Sequence, residues 1–389
     1  MRHFFITILI SVLSTLSVYS QEWVTTWATA QQIVEPHNNP PIPLEGQTLR
    51  QIVQVSIGGK QMRLRLSNRF SKEDLEIRSV EVAQALSGGV SSDINSSTSR
   101  QLTFNGKSDV IIKAGEETYS DLCFFDLTPR MNVAITIQYG KAPANIITGH
   151  PGSRTTSYFI GTDSTTQHWY TIESIDVVPE VKNTRAVAVM GNSITDGRGS
   201  TTDGQNRWTD VFSKCLLANK STSNVSVLNF GLGGNCVVRG GLGPTAKDRY
   251  KHDLFGMSGV KYIILFEGVN DLGWARDGIA TAKQIIDVYK TIIDEAHAKG
   301  IKVYVGTVMP FKNNSYYTAD HENGRQYLNK WIRSAKEIDG CIDFDAVMRS
   351  ANDPEALNPI YLFENDWLHP NALGYRTMGE SVKLKLFKK

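Results

Sequence analysis

The spacing of apolar residues changes once along this chain, and that change limits what it can fold into. From Gln21 to about Val181 the period is two: "LRQIVQVSIGGKQMRLRLSN", "DVIIKAGEETYSDLCFFDL" and "MNVAITIQYG" alternate apolar with polar residues. The alternation on either side of Gly58-Gly59 predicts a β-hairpin closed by a tight turn. The Ser-rich stretch from Ser87 to Arg100 predicts a polar loop rather than a strand. No helical stripe interrupts the region, so an antiparallel all-β sandwich, jelly-roll-like, is expected over 21–181. Past "IDVVPEVKNT" the short runs "AVAVM", "VSVLNF", "YIILFE", "KVYVGTV" and "CIDFDAV" alternate with helical segments. In "TAKQIIDVYKTIIDEAHAKG", Ile285, Tyr289, Ile292, Ile293 and Ala296 share one face, and Gly300 supplies the stop. Five such runs predict an α/β domain over 182–389, a five-stranded parallel sheet between helices.

The 389 residues suit two domains, and a hydrophobic share of 41% supplies a sizeable core. Lys and Arg total 41 against 39 Asp and Glu, with no long basic run, so nucleic acid and anionic membranes are poor candidates for the main partner. The N-terminus "MRHFFITILISVLSTLSVYSQEW" has a basic residue, an apolar run and small residues up to Ser20. This pattern predicts a signal peptide over 1–20, cleaved before Gln21, and export to the periplasm or the exterior. The run is shorter than the ~20 residues of a membrane span. Cys123, Cys215, Cys236 and Cys341 form no C-x-x-C pair; they admit two disulfides in three ways, or free thiols. There is no H-E-x-x-H and the eight histidines are dispersed, so no metal site is expected.

In open parallel sheets, ligands sit beyond the carboxyl ends of the strands, and chemistry-bearing residues collect there in this chain. Ser193 follows the first run in "AVAVMGNSITDGRG", a strand, a sharp polar turn and a helical start. After the second run, "NFGLGGNC" brings Gly231, Gly233 and Gly234, which let backbone come close or present N–H groups. A dinucleotide loop fails because Cys236 stands at the third position of G-x-G-x-x-G. Asn270 and Asp271 follow the third run in "EGVNDLG", where an Asn amide can donate to a developing oxyanion. In "NDWLHPNALGY", Asp366 and His369 are spaced for a carboxylate to hold one imidazole nitrogen while the other faces a nucleophile.

Taken together, these segments resemble, in order, the four blocks of the SGNH/GDSL hydrolases, from about Arg185 to the C-terminus. The resemblance implies Ser193 as nucleophile, Gly234 and Asn270 as oxyanion donors with the Ser193 N–H, and Asp366 and His369 as the rest of a triad. It implies acyl transfer to water with no cofactor. One position departs from the family's usual Gly-Asp-Ser: Asn192 replaces the Asp, which puts local geometry and pH optimum in question. An exported domain of this kind behind a β-sandwich is similar to the xylan-associated, arylesterase-like carbohydrate esterases, which implies an acylated, chiefly acetylated, carbohydrate substrate. Trp274 and Trp367, beside the third and fourth blocks, offer aromatic faces for sugar rings. The alternatives are a lipid esterase or lysophospholipase, and a non-catalytic carbohydrate-binding protein. His252–Asp253 and His321–Glu322 are adjacent pairs whose side chains are expected to diverge on helices, and His297 is expected to be an exposed cation near a helix end. The segment His150–Phe159 is a candidate to reach the site's rim from the β region.

Overall fold

The computed structural model describes residues 22–388, so the expected signal peptide over 1–20 lies outside the described residues. No described helix is long and apolar enough to cross a membrane.

The chain from Val24 to Val178 is all-β. One sheet orders Val24–Ala28, Ile172–Val178, Gly59–Ser67 and Glu117–Tyr119, with Cys123–Leu127 also pairing along Gly59–Ser67. A second sheet orders Thr165–Thr166, Ser157–Phe159, Thr48–Gln54, Asn132–Tyr139, Leu75–Ala85 and Ile94–Leu102. The pairings are antiparallel, and Leu75–Ala85 shows why: every second side chain is buried over most of its length.

Two expectations fail here. Thr48–Gln54 and Gly59–Ser67 do not pair with each other; they belong to different sheets, and the chain between them crosses from one to the other. Alternation identified both strands, but neither glycine makes a hairpin turn. A Cβ on Gly58 would collide with the Leu127 carbonyl, and one on Gly59 would lie 2.6 Å from the Val178 carbonyl. The glycines admit neighbouring backbone at a crossover. The Ser-rich stretch is also not all loop: Ile94–Leu102 is an edge strand along Leu75–Ala85. An edge strand with much of its surface in water needs little apolar alternation, so composition hid it.

Beyond Val178 the expected α/β architecture appears. The strands β1 (Arg185–Gly191), β2 (Val225–Gly231), β3 (Val260–Phe266), β4 (Lys302–Gly306) and β5 (Gly340–Ile342) form a parallel sheet in the order β2-β1-β3-β4-β5. β1 is fully buried apart from Arg185, as the continuous run "AVAVM" requires. The helices that matter below are α1 (Ser193–Asp196), α2 (Trp208–Ala218), α3 (Val269–Gly273), α4 (Gly278–Ala298), α5 (Ala319–Ser334) and α6 (Ala372–Ser381). α4 buries Ile285, Tyr289, Ile292, Ile293 and Ala296, is capped by Asp277, and ends before Gly300 at φ +68°. A single apolar cluster runs through both regions. Polar contacts join them too: Ser56 Oγ accepts from Val227 N at 3.0 Å, and Thr25 N donates to Ser258 O at 3.0 Å.

Candidate active site

Register sets the site. Gly191 on β1 lies opposite Gly231 on β2 and Phe266 on β3, so three strand ends form one line. The chain leaves β1 to one side for β2 and returns to the other side for β3, which makes β1 the switch point where such sheets open a crevice. Ser193, Gly234 and Asn270 lie just past this line.

At β1 the turn is tight: a Cβ on Gly191 would collide with Thr195. Asn192 caps α1, its Oδ1 accepting from Ile194 N at 3.1 Å. Ser193 is the first residue of α1, so its N–H has no intrahelical acceptor, and the residue is 7% exposed. Its Oγ is 2.8 Å from His369 Nε2, while His369 Nδ1 is 2.6 Å from Asp366 Oδ2. A carboxylate accepts, so Nδ1–H donates to it and Nε2 is left to accept the serine proton. Asp366 Oδ1 also accepts from the backbone N–H groups of Leu368 and His369, at 2.9 and 2.8 Å, which locks the carboxylate's direction. Burial works against charge on Asp366, but the His369 contacts outweigh it and hold the carboxyl below its ordinary range. Burial lowers the His369 pKa; Asp366 opposes this, and the positive fields of Arg198 and Arg154 add to the lowering. The imidazole is thereby kept neutral and able to take a proton.

Asn270, on α3, donates from Nδ2 to Asn235 O at 2.7 Å and accepts at Oδ1 from the Tyr316 hydroxyl at 3.2 Å. The tyrosine fixes the amide's orientation and leaves one N–H of Nδ2 to spare. Gly234 stands at φ +66° in the turn after β2. Both residues line a cleft of about 560 Å³ with Leu242, Trp274 and Tyr316. Trp274 is 74% exposed, its Nε1 donating to the Tyr316 hydroxyl at 3.2 Å with the rings edge to face. Trp367 does not line that cleft; it is half-buried and packed on the core.

Sequence reasoning missed what holds these parts. Arg249 is 1% exposed and uses its whole guanidinium on the three strand ends. Nη2 donates to Gly191 O at 3.1 Å and Glu267 Oε1 at 2.9 Å, Nη1 to Phe230 O and Asp253 Oδ2 at 2.8 Å each, and Nε to Asn235 Oδ1 at 3.1 Å. Nothing in "KDRYKHD" marks that arginine, because all its acceptors but Asp253 lie outside this stretch, on two backbone carbonyls and two side chains of other elements. Tyr316 is equally silent in "NNSYYT". Asp271 orders the turn after Gly234 by accepting from Val237 N and Val238 N at 2.8 and 2.9 Å, and burial raises its pKa to about 6.

The segment after His150 does reach this site: His150 Nε2 is 3.0 Å from Asp196 Oδ1, at the end of α1. His252 and His297 stand apart from it. His321 and Glu322 diverge as expected, to Ala275 O and Arg325, and His297 pairs with Asp339 at 2.8 Å. His252 and Asp253 do not diverge: a wide helical turn over Lys251–Phe255 brings Nδ1 within 3.0 Å of Asp253 Oδ1. His252 Nε2 meets Glu117 at 2.9 Å and Glu173 at 3.2 Å, a grouping with metal-ligand spacing. Arg65 already supplies positive charge there, bonded to Glu117 and 3.3 Å from Glu173. All four cysteines are free thiols.

A buried hydroxyl and imidazole in series with a half-buried carboxylate, at the open end of a parallel sheet, is the arrangement of a serine hydrolase. Residues 189–377 match the family model for the GDSL-like lipase/acylhydrolase family, and this part of the chain is a GDSL-like acyl-ester hydrolase domain. Among solved structures, the chain is similar to a GDSL-like lipase from Bacteroides thetaiotaomicron: 22% identity, 53% of this chain and 88% of that one, TM-score 0.37. It is similar to a catalytic mutant of an acetylxylan esterase from Geobacillus stearothermophilus at 16% identity, covering 54% and 96%, TM-score 0.40. A family two carbohydrate esterase from Clostridium thermocellum, in complex with cellohexaose, aligns over 93% of this chain and 98% of its own, at 14% identity and TM-score 0.38. No curated protein matches the chain.

Proposed function

We propose that the protein is an exported serine esterase that removes short acyl groups, acetyl foremost, from carbohydrate, with a β domain over 21–181 and a hydrolase domain over 182–389. The observation that carries the chemistry is the unbroken relay from Ser193 Oγ through His369 to Asp366. Neutral His369 takes the Ser193 proton as Oγ attacks the ester carbonyl. The Ser193 and Gly234 N–H groups and the spare Asn270 N–H receive the oxyanion. His369 then returns the proton to the leaving alcohol, and water releases the acid by the same steps.

For the substrate, the support is Trp274, an exposed ring whose indole is held by Tyr316 at the mouth of the cleft beside Asn270. A fixed, solvent-facing aromatic suits the apolar face of a sugar. A second reading has its own observation. The cleft is roomy, and Leu242, Val238 and Ala275 give it apolar wall, which suits a longer acyl chain. The deciding measurement is kcat/KM across acetyl, butyryl and octanoyl p-nitrophenyl esters, beside acetate release from acetylated xylan. The carbohydrate reading expects a maximum at acetyl with acetate released; a maximum at octanoyl and no acetate from any acetylated glycan would replace it with the lipid-esterase reading.

A further inference from the structure

α1 has only four residues and ends at Gly197, φ +104°. So short a helix has no stability of its own, and the direction of Ser193 depends on what grips the two ends of the turn. Asn192 grips the first. The second end is Asp196, buried at the end of α1, and its side chain is held from the all-β region.

His150 lies on the strand Thr148–His150, and its ring nitrogens face two acceptors. Nδ1 lies 2.9 Å from Ala30 O, within the β region, and Nε2 lies 3.0 Å from Asp196 Oδ1, across to the hydrolase region. The ring is stacked on Trp169 at 5.7 Å, so it is a rigid strut rather than a swinging side chain. The neighbouring loop closes on the same carboxylate. Arg154 Nη2 stands 3.8 Å from Asp196 Oδ2, and Gly152 is pressed so close that a Cβ would collide with the carboxylate oxygens. Further along, Arg207 bonds both Ser153 O and Asp196 O, and Asp203 Oδ1 accepts from Thr156 N at 2.6 Å. On the far side, Gly231 at the end of β2 sits against the Asp196 backbone. The serine turn is thus clamped between β2 and a segment of the other region.

We propose that the all-β region is a working part of the esterase, and that His150 is its positioning residue, acting on Ser193 through Asp196. The inference rests on Ser193 being the nucleophile, and it assigns the β region a task that sugar binding alone would not. Displacing a reacting group by ~1 Å can cost up to about 100-fold in rate, so a slackened turn shows in kcat.

The two bonds of His150 can be separated. In His150→Asn the amide stands where Nδ1 was and keeps the Ala30 bond; in His150→Gln it stands near Nε2 and keeps the Asp196 bond. With p-nitrophenyl acetate, His150→Asn is expected to lower kcat by about 10- to 100-fold with KM little changed, while His150→Gln stays within about threefold of the parent. Gly152→Ala, which pushes on Asp196 from the loop side, is expected to reproduce the loss without touching His150. Equal losses in the Asn and Gln variants, or losses confined to melting temperature or KM, overturn the proposal. Ser193→Ala and labelling of Ser193 by a fluorophosphonate, run in parallel on the parent protein, test the nucleophile by themselves. Retained activity in Ser193→Ala sinks the catalytic reading, whereas a dead Ser193→Ala beside an unimpaired His150→Asn sinks only this one.

Discussion

His369 and His252 are both imidazoles bonded to carboxylates, yet their surroundings drive them to opposite charge states. Burial works against charge on both rings. At His369 one carboxylate answers it, on Nδ1, while Nε2 faces a neutral hydroxyl and two arginines add positive field, and the pKa falls below 6.5. At His252 three carboxyl groups face the ring, Asp253 on one nitrogen and Glu117 and Glu173 on the other, and the pKa rises to about 9. The same residue type is held neutral in one place and charged in the other, decided by the acidic groups it meets and the arginines near it. His252 joins the β region to the hydrolase region as charge; His150 joins them as geometry.

The largest expected effect divides the two histidines. Ser193→Ala and His369→Ala should each lower kcat by roughly three orders of magnitude or more on an activated ester, while His252→Gln should leave kcat within a few-fold. Steady-state rates on p-nitrophenyl acetate decide it, and a His252→Gln enzyme as inactive as Ser193→Ala would erase the distinction.

Next in size is Asn270→Ala. One oxyanion donor is typically worth ~2.7–4 kcal/mol, so kcat should fall about 10²- to 10³-fold with KM nearly unchanged. The truncation also strips Tyr316 and Asn235 of their partner. A change confined to KM would make Asn270 a binding group instead.

The parts legible in the sequence were those carried by local pattern. Five apolar runs pointed to the parallel sheet, and local motifs singled out Ser193, Asp366 and His369, which the structure brings into hydrogen-bond contact, and Asn270 beyond the third strand. What stayed hidden depends on partners far away in sequence. The crossover at Gly58-Gly59 looks locally like a hairpin, because alternation reports which face a residue takes and not which strand it pairs with. Ile94–Leu102 escaped because an edge strand needs few apolar residues. Arg249 gathers two backbone oxygens and three side chains from separate elements, which leaves no sequence signature, and the His252 cluster draws Arg65 and Glu117 from over a hundred residues away and Glu173 from nearly eighty.

A smaller effect separates the two histidines by pH. Protonated His369 cannot accept the serine proton, so kcat/KM should fall as pH drops, with the acid limb midpoint below 6.5. His252 should show in stability instead. Its folded pKa is raised, so its contribution is fully present below pH 6.5 and lost as pH rises through about 9. Burial raises Glu173 to about 8, which gives a loss of the same sign. Melting temperature should therefore decline from pH 6.5 to 9, and His252→Gln should flatten that decline. An unchanged slope in the variant would show that the ring carries no charge there.

The smallest expected effect concerns the one position at which the nucleophile turn departs from the usual Gly-Asp-Ser. Asn192→Asp should remain active. The side-chain oxygen that accepts from Ile194 N is present in either residue, and a carboxylate at a helix N-terminus is favourable. The proposed triad acid is Asp366, bonded to His369, which the substitution does not touch. What changes is charge next to the serine–histidine pair. A negative group there favours imidazolium, so the His369 pKa should rise and the acid limb of kcat/KM should move to higher pH. At pH 8, with His369 neutral in both proteins, kcat should agree within about threefold, since neither the oxyanion donors nor the relay is altered. Activity between pH 5 and 6 should be lower in the variant. The neutral side chain would then be a device that keeps His369 available as a base in mildly acid surroundings, in line with the arginines that act on it in the same direction. A shift of the acid limb to lower pH, or complete inactivation with the fold retained, would show instead that this turn is built around the amide group of Asn192.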